Sequence, residues 1–140
     1  MGLVELLIAM TVLAIGVGAS LTLFADSLVS MRHASKEGTA ITLADRQMET
    51  YRSMPFSCIS SSFSVPSGCI TYSSFPDPYA ASQTTTSSDS PDHRLYDVTT
   101  AISTSGSSLQ IEVTVAQQGT SGVLAQETSN FSSNGQVDTG

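Results

Sequence analysis

The first 25 residues carry a single charge. Glu5 stands in Met1-Gly-Leu-Val-Glu-Leu-Leu-Ile-Ala-Met10, and the chain stays uncharged from Leu6 to Ala25. Those 20 residues, wound as a helix, are long enough to cross a hydrocarbon core of about 30 Å. An ionised carboxylate in such surroundings is costly unless a cation meets it. The first Lys or Arg is Arg32, so the run supplies no basic side chain of its own. The remaining cation is an α-amino group at Met1, on the same chain or on a neighbouring copy. An apolar helix with one acid beside a free N-terminus reads as a self-assembly device. A plain membrane anchor satisfies the length and leaves Glu5 unexplained. A cleaved secretory signal would show a basic flank and a shorter apolar stretch. Here the apolar run begins at once, which reads as a truncated chain or one whose basic leader has been removed.

Gly2-Leu3-Val4-Glu5-Leu6-Leu7-Ile8-Ala9-Met10 resembles the N-terminus of mature type IV pilins and their pseudopilin relatives. In that family a basic leader ending in glycine is removed by a prepilin peptidase, and the new N-terminal residue is N-methylated. A glutamate stands at mature position five. Met1 occupies the place where the family usually has phenylalanine. The resemblance is specific over roughly the first 25 residues and softer over the next 30. It implies a filament subunit in which Glu5 pairs with the Met1 amine of an adjacent copy, with N-methylation at Met1. The apolar helices would pack as the fibre core after an inner-membrane stage served by the pilus assembly machinery. Gly16 and Gly18 each weaken a helix by about 1 kcal/mol. In pilins such a region is often locally unwound; the alternative is that the glycines let neighbouring helices approach closely.

After Asp26 the pattern becomes amphipathic. Leu28, Met31, Ala34, Ile41, Ala44, Met48 and Tyr51 recur at helical intervals and mark the expected packed face. Arg46, Glu49 and Arg52 are spaced by three, so one acid can sit between two bases on a solvated face. Pro55 ends the helix, because the residue before a proline is pushed out of the α region. The expected division is a hydrophobic helix over 1–25, an amphipathic helix over 26–54, and a globular head over 55–140. The two helical parts form one rod of about 80 Å at 1.5 Å per residue.

In the head, Cys58 and Cys69 enclose ten residues. With an exported N-terminus they are expected to bridge, worth about 3 kcal/mol in the chain-entropy model. Residues 57–92 read as one long connection, with a Ser/Thr-rich loop over 73–92, too long for a plain linker. It is expected to cross the surface, pinned by the disulfide and by Phe63, Tyr72, Phe75 and Tyr79. From about 95 to 131 the period changes to two. Tyr96, Val98, Thr100 and Ile102 form one alternating set, and Leu109, Ile111, Val113 and Val115 another. Gly106 and Gly119–Gly122 mark turns, Val123–Phe131 a weaker third strand, and Asn134-Gly135 a last turn. The expected fold is α+β and type IV pilin-like, with the C-terminal half of the helix laid on a three- or four-stranded antiparallel sheet.

No catalytic constellation stands out, and an enzyme is not expected. Ser residues are abundant, but no G-x-S-x-G elbow or ordered triad accompanies His93. Asp89, Asp92, His93 and Asp97 cluster in sequence without calcium-loop spacing or its central glycine. His33 has no ligand-type neighbour at helical spacing. No cofactor or metal site is expected. Five basic residues against 12 acidic, a formal charge of −7, disfavour a nucleic-acid surface on the shaft. Asn130-Phe-Ser132 matches an N-glycosylation acceptor, and the Ser/Thr tracts suit O-linked sugar. The expectation is a homo-oligomeric cell-surface filament serving adhesion, motility or DNA uptake. The alternatives are a minor pilin or type II secretion pseudopilin, the softer likeness after Leu43 pointing that way, and a monomeric membrane-anchored extracellular binding protein.

Overall fold

A computed structural model describes residues 2–133 and 137–138. The Met1 expectations and the Asn134-Gly135 turn lie outside them. The chain divides into two compact units, residues 1–35 and 36–140.

Helix α1, Leu3–Ser53, supplies the whole of the first unit's secondary structure and the start of the second. It contains no proline, and its helix formers outweigh the glycines. It runs unbroken through Gly16 and Gly18, so no local unwinding interrupts it. It stops where expected: Met54 N–H closes the last turn on the Tyr51 carbonyl at 3.2 Å, and Pro55 follows. A short 3-10 turn, Phe56–Cys58, leads into the disulfide loop, and Cys58 and Cys69 are bonded.

The second unit is α+β. Strands β1 Ser82–Thr84, β2 Tyr96–Ser105, β3 Ser108–Gln117, β4 Val123–Ser132 and β5 Val137–Asp138 form one antiparallel sheet in chain order. The three long strands are those expected. The five-stranded sheet is wider than expected, because β1 comes from the tract read as loop. The β2–β3 hairpin turns at Gly106, whose φ of 62° suits a residue without a Cβ. Register places Val98 opposite Val115, Thr100 opposite Val113 and Ile102 opposite Ile111. Leu109 stands opposite Phe131 and Ile111 opposite Ser129. One sheet face is therefore a mainly apolar layer, with Thr100 and Ser129 buried within it.

That layer is covered by α1 from Thr39 onward. Thr39, Ala40, Leu43, Ala44, Gln47, Met48 and Tyr51 are the buried helix residues, and they share the core with Tyr96, Val98, Ile111, Val113 and Val115. The packed face thus differs from the expected one. Ala44, Met48 and Tyr51 lie on it, but Ile41 is 53% exposed while Leu43 and Gln47 are wholly buried. The physical reason is partnership rather than hydropathy: Gln47 finds hydrogen bonds in the interior, described below, so its polarity does not keep it out. Leu28, Met31 and Ala34 are exposed.

Candidate functional site

In the first unit every described residue is exposed, including Leu3, Val4, Leu6, Leu7, Ile8 and their successors to Met31. One stretch of α1 is long and apolar enough to cross a membrane by length and composition. Its uncharged polar groups are satisfied by the helix itself. Thr11 Oγ1 donates to the Ile8 carbonyl at 2.8 Å, Ser20 Oγ to Gly16 at 3.0 Å, and Thr22 Oγ1 to Ala19 at 2.8 Å. This back-bonding is how hydroxyls become tolerable in an apolar medium. Between Leu3 and Ala25 that leaves Glu5. Its backbone N–H takes the Gly2 carbonyl at 3.0 Å, and its carboxylate has no cation among the described residues. A carboxylate in the first turn gains from the helix dipole, but only about 0.3–1 kcal/mol, far short of what burial in hydrocarbon would cost.

The second unit has a different centre of organisation. One face of α1 latches the loop that precedes β2. Tyr51 Oη donates to the Pro78 carbonyl at 2.6 Å. One turn earlier, Gln47 Nε2 donates to the Asp77 carbonyl at 3.0 Å while its Oε1 accepts from Gln83 Nε2 at 2.9 Å. Arg46 Nη1 donates to the Asp89 carbonyl at 2.8 Å, and its guanidinium lies 5.5 Å from the Phe75 ring centroid. Loop residues from Phe75 to Asp89 are thus held by three helical side chains. Tyr72 and Tyr79 rings meet at 6.3 Å, and Phe75 packs against the core.

The Arg46–Glu49–Arg52 spacing is used otherwise than expected. Arg52 reaches Glu49 at 3.6 Å but bonds Glu127 on β4 at 2.9 Å, and Arg46 serves the loop. The triplet is therefore more than a solvated face. Burial raises the Glu127 carboxyl above its ordinary range, opposed by Arg52 and reinforced by Asp45.

The acidic cluster is dispersed into separate local bonds. Asp89 accepts the Thr86 hydroxyl and N–H, both at 2.7 Å, which holds its carboxyl below the usual range. Asp92 accepts the Tyr96 hydroxyl at 2.6 Å, and Asp97 accepts that of Thr84 at 2.7 Å. His93 Nδ1 meets the Ser87 carbonyl at 2.9 Å. Among the described residues no group of three His, Cys, Asp or Glu side chains is placed to hold a metal ion. Tyr51 and Tyr96 phenols are pushed up to about 12, in both cases first by burial. The latch residues Gln47 and Gln83 carried no sequence signal, since a glutamine on a helix gives no hint of a partner 36 positions away.

Comparison with protein-family models, with curated proteins and with solved structures returns no match to this chain.

Proposed function

We propose that this chain is a structural subunit that polymerises into an extracellular filament of the type IV pilus kind. The observation that carries the reading is the state of Glu5. Thr11, Ser20 and Thr22 are satisfied within the helix, and among the described residues from Leu3 to Ala25 Glu5 alone carries a charge for which they supply no cation. An N-terminal amine of a neighbouring copy supplies that cation, and the apolar surface from Leu3 to Met31 supplies the packing. Removing one member of such a buried pair costs about 3–5 kcal/mol. Before assembly the same stretch would hold the subunit in the membrane. The hydroxyl-rich head would form the outside of the fibre at the cell surface.

Glu5→Val tests this in cells that make the fibre. The expected result is normal accumulation in the membrane fraction with loss of filaments by negative-stain microscopy. Wild-type filament numbers from the variant would refute the pairing. A minor subunit or pseudopilin would give the same membrane result but be rare in purified filaments, which mass spectrometry of the fibre decides. A monomeric anchored protein would be absent from them.

A further inference from the structure

The latched loop and strand β1 enclose an open cleft of about 490 Å³, within the range of about 300–1,000 Å³ typical of small-molecule sites. Its lining includes Ser74, Phe75, Asp77, Gln83, Thr86 and Asp89, and no Lys, Arg or His. The floor is rigid. Gln83 Oε1 accepts the Asp77 N–H at 3.0 Å, and its amide nitrogen donates to Gln47 and to the Asp77 carbonyl. Both carboxylates are oriented by the chain itself: Asp77 Oδ1 accepts the Tyr79 N–H at 2.9 Å, and Asp89 Oδ2 accepts from Thr86. Their second oxygens, Asp77 Oδ2 and Asp89 Oδ1, take no donor among the described residues. They are fixed acceptors with capacity to spare.

The chemistry of the lining selects the ligand class. An anion would face two carboxylates with no lining cation to offset them. A wholly apolar ligand would strip water from those carboxylates and from the hydroxyls, which is costly. A neutral ring bearing several hydroxyls offers donors to the free carboxylate oxygens, in charge-assisted bonds stronger than neutral ones. Its C–H surface can lie on the part of Phe75 that lines the cleft, a ring held in place by the core and by Arg46. Acceptors already oriented and a ring already packed lower the ordering cost of binding. We infer that this cleft binds a neutral saccharide. The assignment concerns the head alone and stands or falls independently of polymerisation.

Saturation-transfer-difference NMR tests it on the full chain in a detergent without a sugar headgroup. The probes are methyl α-mannopyranoside, methyl β-galactopyranoside and N-acetylglucosamine at millimolar concentration, with spermidine and calcium as competitors. At least one sugar should give ring-proton signals. Ser74→Trp, which fills the cleft from an exposed position, should abolish them while leaving the amide spectrum of β3 unchanged. Asp77→Asn keeps the oxygen that serves Tyr79 and should weaken binding about tenfold or more. The inference is overturned if no sugar gives a signal, if signals survive Ser74→Trp, or if only spermidine or calcium binds.

Discussion

Tyr51→Phe isolates the latch between α1 and the loop. The substitution keeps the ring, which is wholly buried in the core, and removes only the hydroxyl that donates to the Pro78 carbonyl at 2.6 Å. Pro78 is itself buried. Its oxygen, unlike that of Asp77, which takes both Gln47 and Gln83, has no second donor among the described residues. The variant therefore loses a hydrogen bond and also strands a buried acceptor, a cost of about 1–3 kcal/mol. In a domain of this size each kcal/mol lowers Tm by about 4–8 °C. Tyr79→Phe is the matched comparison. The Tyr79 hydroxyl is buried without a hydrogen-bond partner, so its removal should be neutral or stabilising. Amide hydrogen exchange of Ile111, Val113 and Val115 in detergent micelles is the appropriate assay, because these central-strand amides report global opening. The expected order is Tyr51→Phe less protected than wild type, with Tyr79→Phe at or above it. A loss below about 0.5 kcal/mol for Tyr51→Phe, within the range of ordinary surface changes, would refute the latch. So would a larger loss from Tyr79→Phe.

Two further outcomes follow from the head. The phenols of Tyr51 and Tyr96, raised to about 12, favour the protonated form in the folded state. Their contribution is complete below the ordinary tyrosine value of about 10 and is lost as pH rises through the folded value. Burial raises the Tyr79 phenol in the same direction, so spectrophotometric titration should show Tyr51 and Tyr96 among the tyrosines that ionise late and together with unfolding; ionisation of all four near the ordinary value, with the sheet intact, would contradict the burial. Replacing both Cys58 and Cys69 by serine should cost about 2–4 kcal/mol. It should also open the segment between them to limited proteolysis before β2–β4, whereas unchanged cleavage would show that the bridge does not hold that segment.

Much of the architecture is written in local pattern. The helix from Leu3 to Ser53 follows from a proline-free stretch ending before Pro55. The three long strands follow from period-two runs broken at Gly106 and Gly119. What local pattern misses is any choice settled by a distant partner. Hydropathy favoured Ile41 over Gln47 for the packed face, and the reverse holds because Gln83 and Asp77 meet Gln47 inside. Ser82–Thr84 is a polar tract with no strand signal; it pairs because β2 presents an edge at Asp97–Thr99. Arg52 had Glu49 as its expected neighbour and finds Glu127, 75 positions away.

The candidate site divides the same way. Glu5 is legible from sequence because its argument needs only composition: a lone acid in an apolar run with no base before Arg32. The structure narrows it by showing the nearby hydroxyls satisfied by the helix, a matter of i−3 and i−4 geometry. The cleft beside β1 is not legible, since Phe75, Asp77, Gln83 and Asp89 become neighbours only once Gln47, Tyr51 and Arg46 fasten the loop to α1. Sequence alone thus determined a long helix with an apolar, singly acidic head and a small β-rich domain behind it, because periodicity and solvation act residue by residue. Tertiary structure alone decided which helix face is buried and what the loop encloses, because those depend on hydrogen bonds between residues far apart in the chain.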